Sequence, residues 1–265
     1  MNKPSIYDPV QYREGVILYL PASGTVITGR GLGPDWAFDG IGTVSHPAPG
    51  ATFATQFPRT RVTSVAGTQN QELGAHLPNA SDARAWRGNA ASRGGFYFAC
   101  RFMVNAIPAT TIRFFCGLSA ATSGVCKAAV SGSGPPNTVG LWCDTGDSAN
   151  LTILNVDNAG AFQKMPLQSS QTLTAGVVYE FVMICNPATA GGPQGTIVTN
   201  LINVSTGALL CTQNPGTNLP ASTAFMAPQI GLSNGTANLA GNDTSLDWMS
   251  VYLRPNLLLT PTGSP

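Results

Sequence analysis

The ten residues "GFYFACRFMV", Gly95 to Val104, alternate with a period of two. Phe96, Phe98, Cys100, Phe102 and Val104 fall on one side, and Tyr97, Ala99, Arg101 and Met103 on the other. A pleated strand keeps that pattern on two faces, because its successive side chains point in opposite directions. "VVYEFVMIC" repeats the grammar, with Tyr179, Phe181, Met183 and Cys185 opposite Val178, Glu180, Val182 and Ile184. Both of its faces are largely apolar, which predicts a central strand.

The other apolar segments are short, rich in Val, Ile, Phe, Tyr and Thr, and punctuated by Gly, Pro and Asn. Strands are expected near Val16–Leu20, Thr52–Phe57, Arg61–Val65, Thr111–Leu118, Thr138–Cys143 and Leu151–Val156. More are expected at Thr196–Val204, Ala208–Thr212, Met226–Leu232 and Ser245–Leu253. Helical periodicity is nearly absent, and one helical turn is expected near Ser81–Arg87, capped by Ser81. Turns are expected at Val156–Gly160 and Gly241–Ser245 and around Gly207, with loops over Ser131–Asn137 and Asn186–Gly195. So many short strands joined by turns predict an all-β fold, a two-sheet antiparallel jelly-roll sandwich.

No linker is long enough to divide the chain. Residues 51–265 read as a single β-sandwich domain, and residues 1–50 as an irregular N-terminal arm or assembly segment. Within that arm, Gly29–Gly50 has few apolar anchors and is expected to wrap over the sandwich or a neighbouring subunit.

Composition narrows the function classes. Only 9% of the 265 residues are charged, against about 25% in ordinary soluble domains. Thirteen basic and 12 acidic residues give a net charge of +1, so no basic excess exists for a nucleic-acid partner or a membrane surface. No apolar run approaches a membrane span of about 18 residues, and "MNKPSIYDPVQYREGVILYL" does not read as a signal peptide. Synthesis in a cytoplasm is therefore expected, and the five Asn-x-Ser/Thr triplets read as chance. Surface charge usually keeps a monomer soluble. A charge-poor exterior of Ser, Thr, Asn and Gln suits either burial against other subunits or a secreted-type β surface. Cys100, Cys116, Cys126, Cys143, Cys185 and Cys211 form no C-x-x-C pair and sit mostly in apolar runs, as buried free thiols do.

The chemical motifs reduce to few candidates. "WRGNAASRGG" has the glycines of a phosphate cradle, but a strand pattern follows it instead of a helix, and no P-loop lysine is present. It reads as a loop turning sharply into a strand at Gly94 and Gly95. Glycoside hydrolysis needs two carboxylates flanking a sugar. No E-x-D or E-x-E occurs; Glu14, Glu72 and Glu180 are isolated, and the pairs Asp144/Asp147 and Asp243/Asp247 fall in turns or at strand starts. "DTGD" at Asp144 reads as turn chemistry, with a weak calcium site as the alternative. His46 and His76 lie in Pro- or Gly-flanked stretches and read as loop residues without metal-ligand spacing. Trp142 and Trp248 sit in strand patterns and are expected in the core. Trp36 and Trp86 are expected to be exposed, where they contact either a glycan or another subunit. No catalytic, cofactor or metal residue is assigned, no cofactor is expected, and the ligand-binding residues stay open.

The succession "WRGNAASRGGFYFACRF", "RFFCGLSAATSG", "NTVGLWCDTGDSANLTILNVDNAG", "VVYEFVMICNP", "VTNLINVSTGALL", "TNLPASTAFMAPQIGLSNGT" and "TSLDWMSVYLRP" resembles a domain of tailed-bacteriophage virion proteins. These are tail-fibre, head-fibre and appendage proteins with a concanavalin A-like lectin/glucanase sandwich. The resemblance runs from about Arg59 to Leu253 and carries over no catalytic residue. It implies a non-enzymatic structural protein on the virion surface, a head decoration or spike assembled in the host cytoplasm. It also implies a homotrimer with other capsid or tail proteins as partners, and a host surface glycan as ligand. A tail-borne receptor-binding protein and a polysaccharide depolymerase are the alternatives.

Overall fold

The computed structural model describes residues 17–19, 37–39, 43–63, 72–76, 85–106, 112–122, 124–127, 132–144, 150–167, 170–188, 195–233 and 244–255. The alternating segment becomes the long strand β6 (Phe96–Ala106), and its odd-and-even division is the one the sequence sets out. Phe96, Phe98, Cys100, Phe102 and Val104 enter the main apolar core, while Arg101 faces away from it. β11 (Val178–Cys185) divides in the same way: Tyr179, Phe181, Met183 and Cys185 join the core, and Val178 packs in a separate cluster outside it.

Fifteen strands are formed among the described residues. Those not yet given are β1 (Ile17–Tyr19), β2 (Ala37–Asp39), β3 (Thr43–Ser45), β4 (Thr60–Thr63), β5 (Glu72–His76), β7 (Arg113–Ser119) and β8 (Thr138–Cys143). They continue with β9 (Thr152–Val156), β10 (Phe162–Pro166), β12 (Ile197–Asn203), β13 (Ala208–Gln213), β14 (Ala227–Ser233) and β15 (Ser245–Pro255). One sheet has the order β13-β12-β11-β6-β15-β4-β3, with β1 also on β15; the other has the order β10-β9-β8-β7-β14-β5-β2. Every described strand pair is antiparallel. The two sheets close on one core, where Phe102 of β6 meets Phe114 of β7 with ring centroids 4.7 Å apart. The predicted two-sheet antiparallel sandwich is therefore the fold, and β11 is central, between β12 and β6.

The segment 1–50, expected as an irregular arm, contributes β1, β2 and β3 to the sheets, paired with β15, β5 and β4. Three local expectations need correction. The strand expected over Thr52–Phe57 is a single 3-10 turn, η1 (Phe53–Thr55), because Thr52 N–H donates to Thr55 Oγ1 at 3.2 Å and the two hydroxyls pair at 2.7 Å. His76, read as a loop residue, ends the fully buried strand β5. The turn near Ser81–Arg87 lies partly outside the described residues. Its last part is not helical: Ala85 makes an isolated antiparallel bridge to Met226. β10 had no expectation at all.

Other readings hold. Trp142 and Trp248 are fully buried, and all six cysteines are free and buried. Burial pushes the Cys116 and Cys211 thiols up and the Cys185 thiol up to about 12. Gly94 and Gly95, at φ of 76° and 78°, make the turn into β6. No described helix is long and apolar enough to cross a membrane.

Candidate functional site

Among the described residues, three places hold the polar and aromatic side chains that chemistry would need. The first is the outward face of the eight-stranded sheet. Asp247 of β15, fully buried, accepts two hydrogen bonds from Arg61, at 2.7 and 2.9 Å, and its Oδ2 lies 2.9 Å from Arg59 Nε. That hydrogen-bonded partnership raises the Arg61 guanidinium above its ordinary value. Glu180 of β11 takes both Arg101 contacts, at 3.1 and 2.5 Å, directly across the strand pair. Arg101 also lies 5.5 Å from the centre of the Phe57 ring.

The second place is the outward face of the seven-stranded sheet. Phe115, Trp142 and Leu154 stand on β7, β8 and β9 at positions that alternate with core residues. A strap containing the 3-10 turn η2 (Val125–Lys127) covers them with Val125 and Cys126. Glu72 of β5 pins the strap by accepting the Cys126 N–H at 2.8 Å. Gly124 lets the strap sit this low, since a Cβ there would run into the Glu72 carboxylate. Nearby, Asp144 of the "DTGD" motif is buried with Lys164 at 3.5 Å. Asp147, Asp243 and Trp36 lie outside the described residues. Among the described residues no three His, Cys, Asp or Glu side chains cluster as metal ligands. His46 is half-buried, with Nδ1 3.2 Å from the Thr60 hydroxyl.

The third place is the end of the sandwich where the chain enters β6 and β14. Its loops are tied together through Asn137. That side chain donates to Asn158 Oδ1 and accepts from Ala221 N–H, each at 2.9 Å, while its backbone bonds Asp157 and Ala120. Asp157 closes its own turn by accepting N–H bonds from Ala159 and Ala161. Ser92, Asn137 and Asn218, the three described non-glycine residues with positive φ, all lie in these loops. Such conformations persist where the surroundings over-determine them.

Trp86 stands on this end and stacks on Phe225, with centroids 5.3 Å apart and ring planes at 26°. Trp86, expected to be exposed, is half-buried; the ring open to solvent is Phe225, which sequence reasoning missed. The two meet because Ala85 and Met226, both fully buried, exchange backbone hydrogen bonds of 3.1 and 2.8 Å. Arg87 extends beneath, donating to Gly195 O at 3.0 Å and Pro220 O at 2.8 Å; burial lowers its guanidinium pKa.

No family model matches the chain, and no curated protein matches it. Solved structures do match. A Shewanella oneidensis MR-1 protein of unknown function aligns with a TM-score of 0.57 at 11% identity, over 99% of this chain and all of that one. Peanut lectin with a nine-residue peptide aligns at 0.54 and 14% identity, over 91% of this chain and 96% of the lectin. Lectin UEA-II complexed with galactose aligns at 0.51 and 15% identity, over 91% and 98%. At these identities the likeness defines the architecture, a lectin-like two-sheet sandwich.

Proposed function

We propose that this chain is a non-enzymatic adhesion module of a bacteriophage particle, a head decoration or spike that holds a glycan without cleaving it. One observation carries the choice of adhesion over turnover. Every carboxylate whose surroundings are described is committed to a structural partner: Glu72 to the strap, Asp144 to Lys164, Asp157 to its turn, Glu180 to Arg101, and Asp247 to Arg59 and Arg61. A glycosidase needs two acids free to hold and release protons on either side of a sugar. Glu180 and Asp247 have their carboxylates engaged by guanidinium groups instead.

The lectin-like architecture supports glycan as the ligand class, and the galactose held by lectin UEA-II gives a neutral sugar as a first probe. The order of segments from Trp86 to Pro255 supports the virion. A charge-poor exterior supports assembly with other copies and other virion proteins, as a homotrimer. The test has two arms. A glycan array is expected to show binding with no reducing ends released; release of reducing ends overturns the adhesion reading. Mass spectrometry and antibody labelling of purified particles are expected to find many symmetric copies. Finding the protein in lysate but never in particles overturns the virion reading.

A further inference from the structure

Among the described residues, Phe53, Leu209 and Phe225 are the large apolar side chains open to solvent, at 43%, 59% and 51% exposure. Phe53 leans edge-on against Phe57 at 5.3 Å in the segment that covers the outward face of the eight-stranded sheet. Leu209 sits on the edge strand β13, where a bulge interrupts the register. Phe225 differs from both. It is backed by an indole, and the backbone under both rings is fixed.

We propose that Phe225, stacked on Trp86, is the platform of a glycan subsite that takes the apolar C–H face of a pyranose ring. This deepens the adhesion reading above and rests on it. Three features point to it. The first is preorganisation. The Ala85–Met226 bridge, the Gly88 N–H to Ser222 O bond at 3.2 Å, and the Gly95 N–H to Trp86 O bond at 3.0 Å fix the chain on both sides of the pair. Arg87 ties the same stretch to Gly195 and Pro220. A ring held this way loses little freedom on binding, so more of the contact energy appears as affinity.

The second feature is size. One half-open ring matches one sugar ring, whereas a stable protein contact needs roughly 800 Å² per partner. The third is the polar setting. Asn89, Ser92 and Thr223 are exposed in the two segments that carry the rings and offer short, uncharged hydrogen-bonding groups to sugar hydroxyls. A single stacking site of this kind is weak on its own and gains strength from repetition over many copies on one particle.

The experiment starts with the whole chain, coupled to beads at high density, on a glycan array. The strongest glycan is then titrated by NMR against wild type, Phe225→Ala and Phe225→Tyr. Phe225→Ala is expected to lower affinity at least tenfold and to abolish the upfield ring-current shift of the sugar C–H protons. Phe225→Tyr is expected to keep both, with thermal midpoints close to wild type throughout. If wild type binds a glycan and Phe225→Ala binds it equally, the platform is wrong and the adhesion reading stands. If wild type binds nothing at any density, the adhesion reading fails and the platform with it. If Phe225→Ala changes the oligomeric mass by light scattering and leaves glycan affinity intact, the rings contact another copy and the proposal is overturned.

Discussion

Among the described residues, two tryptophan–phenylalanine pairs face outward from this sandwich, and they are treated in opposite ways. Trp142 and Phe115 lie mid-strand on the seven-stranded sheet, 6.4 Å apart, and are sealed under Val125 and Cys126. Trp86 and Phe225 lie where the chain leaves its ladders, 5.3 Å apart, and half of Phe225 is open to water. Fully burying a phenylalanine side chain is worth about 1.5–3 kcal/mol, so leaving half of Phe225 uncovered forgoes about 1 kcal/mol. The fold has a device for covering outward rings, a strap pinned by a carboxylate, and uses it over one pair. The backbone under the other pair is tied by hydrogen bonds, yet its Phe225 ring is left open. A tied backbone under an uncovered ring is the pattern expected of a contact surface.

The largest test of this contrast is Trp142→Ala. Deleting a fully buried indole is expected to cost about 3–5 kcal/mol, read by urea denaturation. A loss below about 1 kcal/mol would mean that the strap covers nothing of value. Gly124→Ala comes next. Its Cβ displaces the Glu72 carboxylate, which then loses the Cys126 N–H, for an expected cost of about 1–3 kcal/mol. Easier proteolysis near residue 125 should accompany it; an unchanged midpoint and cleavage pattern would show that the strap is not pinned there. Phe225→Ala is expected to cost about 1 kcal/mol, mostly the lost stack on Trp86. A cost rivalling that of Trp142→Ala would make the exposed pair a structural element and erase the contrast.

The contrast also marks what a sequence makes visible. β6 and β11 were legible because alternation is a local signal and both strands are long and rich in aromatic residues. β5, "ELGAH", was not: Glu, Gly and His are weak strand formers, and what buries them is packing on β14, more than 150 residues on in the chain. β10, "FQKMP", is an edge strand with a proline, again outside the usual pattern. At Thr52–Phe57, the paired Thr52 and Thr55 hydroxyls outweighed β propensity. Trp86 could be named from its loop context, but Phe225 could not. A single bridge between Ala85 and Met226 brings them together, and nothing in "TAFMAP" announces that partner. The pairing of Asp247 with Arg59 and Arg61 is hidden for the same reason.

The smallest expected effect probes the base of the exposed pair. Cys185 lies near Arg87, the residue that ties the Trp86 backbone to Gly195 and Pro220. Burial dominates over the guanidinium and raises the thiol from an ordinary 9.0 to about 12. The native state therefore holds this proton through a pH range in which the unfolded chain releases it. The resulting stability is complete below pH 9 and falls as pH rises from 9 towards 12. At about pH 9.5 the loss from this one thiol is roughly 0.8 kcal/mol. Urea unfolding at about pH 7.5 and 9.5 should show wild type losing that much more than Cys185→Ala, which keeps a small apolar group and has no proton to release. Equal losses in the two proteins would mean that water already reaches the thiol, and that the ground beneath Trp86 and Phe225 is looser than the hydrogen bonds of Arg87 imply.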